Sequence, residues 1–221
     1  LCLSVSDYEF KKLIKLKIMK KLILLLLFIP LVFSCSNESS EDSTNEDTPF
    51  FLAPNGVTIK ARDWVKPGTT SILNGIVYTA VDKEMLIRMN NERRDLSKVV
   101  TTLITDMSML FYPPTDSNFD GVLNYYDSFN HAFNQNIRSW DLSNVTDMSF
   151  MFYSARYFNQ DIGLWDVSNV KNMDGLFVFT EFFNQDLTNW CVEKIKLEPL
   201  DFSTLSPLAK TNKPKWGESC N

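Results

Sequence analysis

Residues 133–157 read FNQNIRSWDLSNVTDMSFMFYSARY, and residues 158–182 read FNQDIGLWDVSNVKNMDGLFVFTEF. Each stretch is 25 residues long, with Phe, Asn, Gln, Ile, Trp, Asp, Ser, Asn, Val, Met and Phe recurring in register. A third copy opens at Phe183 as FNQDLTNWCVEKI and then diverges. An earlier, disrupted copy is visible in Asp95-Leu96-Ser97-Lys98-Val99, matched to Asp141–Val145, and in Thr105–Phe111, matched to Thr146–Phe152. One such unit cannot bury its own apolar face, so the pattern predicts a solenoid in which like residues stack on like.

Phe133, Phe158 and Phe183 are expected to form one internal ladder, and Trp140, Trp165 and Trp190 another. Asn134, Asn159 and Asn184 are expected to bond turn backbone from coil to coil. Within a copy, Ile137–Leu142 reads as a short strand. Val145, Met148, Met151 and Phe152 fall on one face of a short helix, with Asn144 or Thr146 as N-cap and Asp147 in the first turn. Each coil is then strand, turn, helix, turn, an α/β arrangement.

Upstream, residues 50–98 read as an N-terminal cap. Asn55 to Val81 alternates apolar and polar residues around Gly68 and Asn74-Gly75, which predicts a β-hairpin, and Asp82–Asn91 reads as a helix. The repeats occupy residues 99–195, with an insertion over 112–130, and residues 196–221 form a C-terminal cap. Caps are needed because the outermost coils otherwise leave apolar surface bare.

The insertion adds 16 residues: Asp106 to Phe133 takes 27, where Asp147 to Phe158 takes 11. It contains Asp116-Ser117-Asn118-Phe119-Asp120-Gly121-Val122-Leu123-Asn124-Tyr125-Tyr126-Asp127. This fits the D-x-N-x-D-G pattern of a calcium loop, with Asp127 where a Glu is usual. Asp116, Asn118, Asp120, the Val122 carbonyl, Asn124 and Asp127 are the expected calcium ligands. A solvated Asx-Gly turn is the alternative.

The N-terminal stretch reads as targeting rather than fold. Met19-Lys20-Lys21 opens a basic region, and Leu22–Phe33 is an apolar run too short to span a bilayer. Residues 1–34 are expected to be a signal region, with Met19 the true start; an uncleaved amphipathic N-terminus is the alternative. Cys35 follows Val32-Phe33-Ser34, and a Cys in that place resembles the lipobox of bacterial lipoproteins, in which the Cys thiol carries lipid. Ordinary signal cleavage near Ser34 is the alternative. Residues 35–49 hold almost no apolar side chain and read as an acidic tether, resembling the surface-export signals of some Gram-negative lipoproteins, with a plain solubilising linker as the alternative.

Residues 1–34 hold six of the 22 basic and two of the 27 acidic residues, so the mature chain has 16 against 25, a net charge of −9. That argues against nucleic acid and against an anionic membrane surface as partners. The membrane partner is reached through the lipid alone. Cys2 precedes the expected start and Cys35 takes lipid, which leaves Cys191 and Cys220 as an even pair in an oxidising compartment. They are expected to form a disulfide, the alternative being two separate buried thiols. His131 is the sole histidine, so no His-based triad is possible. The recurrent acids Asp141, Asp166, Asp161 and Asp186 read as repeat positions, and no enzyme is expected.

The repeat residues resemble the BspA-like leucine-rich-repeat surface proteins, a family built from FNQDI-x-x-WDVSNVT-x-M-x-x-MF units. The resemblance covers about residues 50–221, from Asn55-Gly56-Val57-Thr58-Ile59-Lys60 to Pro214-Lys215-Trp216-Gly217-Glu218-Ser219-Cys220. It implies a short leucine-rich-repeat-like solenoid at the bacterial outer membrane. It also implies a binding module for a protein or glycan ligand, with roles in attachment. A structural or assembly lipoprotein of the envelope is the competing expectation.

Overall fold

The computed structural model describes residues 47–112 and 132–220. The first secondary structure is a two-stranded antiparallel sheet of β1 (Phe50–Leu52) and β2 (Ile59–Ala61), paired Phe50 to Ala61. Next come β3 (Thr70–Leu73) and β4 (Ile76–Ala80), joined at Asn74-Gly75. Both turn residues have positive φ, 52° and 78°, which the tightest hairpin connection requires. β5 (Val99–Val100) adds parallel to β4.

Helix α1 (Lys83–Asn91) starts at Asp82, whose carboxylate accepts the Met85 N–H at 2.8 Å. It ends where Arg93 turns left-handed and the Arg94 N–H returns to the Met89 carbonyl. Leu86 and Met89 are buried and join the same core as the repeat aromatics. A second, smaller core holds Phe50, Ile59, Ala61, Val65, Tyr78, Ala80 and Val100.

From Phe133 to Ala209 the described backbone contains neither strand nor helix. The expected strand over Ile137–Leu142 and the expected helix over Val145–Phe152 do not form. The repeat is instead a run of turns, and its hydrogen bonds show why. The N–H groups of Met148, Phe150, Phe152 and Ser154 donate to the carbonyls of Asn172, Asp174, Leu176 and Val178 in the next copy. The N–H groups of Met151, Tyr153 and Ala155 donate three residues back within their own copy. A helix needs every N–H for its own i−4 carbonyl, and half of these are committed to a neighbour. Phe150 and Ser154 also hold positive φ, 56° and 58°, a dihedral no α-helix tolerates. The expected helix caps serve the neighbour too: Thr146 bonds the Thr105 carbonyl and Asn144 the Thr102 carbonyl, while Asp147 takes the Ser149 N–H and hydroxyl.

Copies follow one another in parallel, with bridges from Asp106 to Asp147 and from Asp147 to Asn172. The aromatic ladders stack at the same step. Trp140, Trp165 and Trp190 lie 6.4 Å apart with planes within 11°. Phe133, Phe158 and Phe183 follow at 5.9 and 5.6 Å. A third ladder of Phe111, Phe152 and Phe177 interleaves with them, at 5.4 and 5.7 Å. Each buried indole N–H needs an acceptor and finds a carbonyl of the preceding copy: Leu96, Ile137 and Ile162 in turn. Along the outside, the Asn134 side chain accepts the Asn159 N–H, and Asn159 accepts that of Asn184.

Two copies differ from the sequence reading. Leu96 accepts from Trp140 as Ile137 does from Trp165, and Asp106 bridges Asp147, so the first copy keeps one register throughout. Asp95-Leu96-Ser97 therefore aligns with Asn136-Ile137-Arg138, not with Asp141-Leu142-Ser143. At the other end, the segment read as a separate cap continues the array. Gly175, Phe177 and Phe179 donate to the carbonyls of Leu200, Phe202 and Thr204. The Ala209 N–H bonds Asn184, and the Asn212 amide makes the contacts to Asn184 that Gln185 makes to Asn159. Trp216 meets Phe202 at 4.9 Å, edge to face.

Cys191 and Cys220 are disulfide-bonded, with Cα atoms 5.5 Å apart. Cys191 stands one residue after Trp190, the place that Asp141 and Asp166 hold after Trp140 and Trp165. The last copy thus exchanges an Asx turn for a covalent tie. Gly217 lets the returning chain pass the Lys196 backbone, which a Cβ there would approach to 3.1 Å.

Candidate functional site

Among the described residues the aromatic ladders and aliphatic side chains pack the interior of the array, and the features that follow lie on its outside. At each corner an Asp turns back onto the residue two places on: Asp95 to Ser97, Asp141 to Ser143, Asp166 to Ser168 and Asp186 to Thr188. These bonds hold the Asp95 and Asp186 carboxyls below the usual carboxylate range, through the Ser97 hydroxyl with Lys98 and through the Thr188 hydroxyl respectively. Around Asp106, burial raises the carboxyl, but hydrogen bonds from Ser108 and Lys83 outweigh it and the net shift is downward. The acids are thus consumed as turn anchors. Asp141 is fully buried, 3.4 Å from the Lys60 ammonium, and its Oδ2 has no hydrogen-bond partner among the described residues.

A shallow groove beside the disulfide is lined by Ser168, Lys171, Cys191, Glu193, Lys194 and Lys196. Lys194 is bonded to Asn169 there. No group of three His, Cys, Asp or Glu side chains among the described residues is placed to hold a metal ion. Residues 116–127, which carry the expected calcium ligands Asp116, Asn118, Asp120, Val122, Asn124 and Asp127, lie outside the described residues, as does Cys35. Among the described residues, no helix is long and apolar enough to cross a membrane.

The outward side of the turn run is apolar. Tyr112 stacks on Tyr153 at 5.0 Å, and Tyr153 meets Phe179 edge-on at 5.8 Å. Tyr157 stacks on Phe182 at 5.3 Å, and both are half exposed, 51% and 52%. The Arg156–Glu181 ion pair, 2.7 Å long, runs beside them. Stacked rings turn their edges outward, so this surface offers apolar rim rather than open faces for a sugar ring. On the last run of turns Leu200 and Leu205 are 74% and 65% exposed, and Leu197 before it is 81% exposed. Scattered apolar residues need no explanation, but exposed rings stacked from copy to copy mark a candidate recognition surface. The sequence reading treated the aromatics as core and missed these rows. The signal was present, since Tyr157 and Phe182 hold the same position in successive copies.

Parallel copies and shared aromatic ladders define a tandem-repeat protein. Over residues 117–214 the chain is similar to the family described as "Mycoplasma protein of unknown function, DUF285". No curated protein and no solved structure matches the chain.

Proposed function

We propose that this chain is a surface-anchored lipoprotein of the BspA-like kind, whose repeats form a short leucine-rich-repeat-like solenoid acting as a binding module. The observation that carries the reading is the stacked, half-exposed Tyr157–Phe182 pair, which holds one position in successive copies, together with exposed Leu200 and Leu205 on the last run of turns. The pair spans successive copies in which Asp141, Asp166 and Asp186 are tied up in turns. The partner is a protein or glycan at a cell surface or in matrix, and the edge-on rings favour a protein. Cys35 carries the lipid anchor, and the acidic residues after it direct the protein to the outer face of the outer membrane. Calcium bound by the insertion is part of the proposal.

The test has two arms. Protease shaving of intact cells removes an outward-facing binding module and spares an inward-facing assembly lipoprotein. Cys35→Ala leaves the protein unanchored, and normal membrane retention of that variant would overturn the anchor.

A further inference from the structure

In every step of the array, alternate N–H groups of one run of turns donate forward to carbonyls of the next. Met107, Met109 and Phe111 donate to Asp147, Ser149 and Met151; Phe150 and Phe152 donate to Asp174 and Leu176; Gly175, Phe177 and Phe179 donate to Leu200, Phe202 and Thr204. The corresponding donors of the last run are the N–H groups of Asp201, Ser203 and Leu205. None of the three has a hydrogen-bond acceptor among the described residues, whereas Phe202, Thr204 and Ser206 between them bond back within the run. The following chain does not cover this edge. It supplies one more corner at Leu208, Asn212 and Trp216, then returns to Cys191 through Gly217 and Cys220. Exposed Leu200 and Leu205 flank the open donors.

An edge of aligned donors beside apolar side chains is a template for another chain. We infer that the edge formed by Asp201, Ser203 and Leu205 binds a segment of another polypeptide. That segment presents backbone carbonyls at alternate residues and lays apolar side chains on Leu200 and Leu205. The occupant follows from continuity with the interface inside the molecule, where the same donors in three preceding runs meet such carbonyls. A second copy joined edge to edge does not fit, because donors would face donors. A second copy joined head to tail meets helix α1, whose Lys83 bonds Asp106 and Ser108 on the first run. This inference deepens the binding-module reading by naming its partner class and place.

The probe is a fluorescent synthetic peptide of residues 170–182, whose Asp174, Leu176 and Val178 carbonyls already accept such donors in the intact chain. It is titrated against the purified full chain in solution, by anisotropy and by amide hydrogen exchange. Saturable binding is expected, with slowed exchange at Asp201, Ser203 and Leu205. Ser203→Pro deletes one unbonded N–H and is expected to weaken binding at least tenfold. Leu200→Asn/Leu205→Asn removes the apolar flank, Asn being tolerant of the left-handed dihedral at 205, and it decides the matter where Ser203→Pro does not fold. Absence of saturable binding, or equal affinity for wild type and folded variants, overturns the inference. Because the measurement is made away from cells, its failure leaves the anchor and the surface location to be judged by shaving.

Discussion

The ring of Phe150 lies over the α-carbon of Gly175, in the space that a side chain at position 175 would need. Both residues have positive φ, 56° and 61°, and both occupy the same place in successive copies. Gly175→Ala therefore meets two costs: about 1 kcal/mol for Ala in a left-handed dihedral, and displacement of the ring. The total is expected near 2–3 kcal/mol, within the range of overpacking substitutions. Urea unfolding of Gly175→Ala and of Phe150→Ala/Gly175→Ala separates the two. The double variant should recover the steric part and keep the dihedral part, and simple additivity would show that the two residues do not compete for space.

Cys191→Ser is expected to lower stability by about 3 kcal/mol, since the bridge closes a loop of 29 residues. The loosened end is the corner at Trp216, so limited proteolysis should cut after the array rather than within it. Thiol titration of the unreduced, denatured protein checks the premise: free Cys191 and Cys220 would contradict it.

The lowered carboxyls of Asp95, Asp106 and Asp186 make stability depend on pH. A carboxyl depressed in the folded state contributes stability that is complete above its unfolded value, about 4. The contribution is lost as pH falls from there through the lowered folded value. Stability should be level from neutral pH down to about 4 and fall below it. Asp95→Asn should flatten part of that fall, and an unchanged slope in acid urea titrations would count against the turn bonds as its source. Each effect is small, since these side chains are largely open to solvent.

The insertion supplies the metal prediction. Millimolar calcium should raise the melting temperature and the protease resistance of the chain relative to chelator, with affinity of order 10⁻⁴–10⁻³ M. Asp116→Ala/Asp120→Ala should abolish the difference. No calcium effect on the wild type would reduce the motif to an acidic turn.

Much of the local chemistry was legible in the residues. Asn74-Gly75 specifies a hairpin turn and Asp82 a helix start because both act within three or four residues. The ladders of Trp140, Trp165 and Trp190 follow from period alone, since equal spacing brings equal side chains together. The Cys191–Cys220 pairing came from counting cysteines. The helix expected over Val145–Phe152 failed for a nonlocal reason: Met148, Phe150 and Phe152 spend their N–H groups on the next copy, a partner that a single-copy pattern does not represent.

The sequence by itself determined the period and the buried ladders, because these depend on which side chains recur and how often. Only the tertiary structure decided the register of Leu96 with Ile137, the last corner at Asn212 and Trp216, and the open donors of Asp201, Ser203 and Leu205. Leu96 and Asn212 act through backbone carbonyl or amide contacts that side chains of other identities also satisfy, so sequence similarity does not mark them. Whether a backbone N–H is paired depends on what lies beside it in space, and no residue identity encodes that.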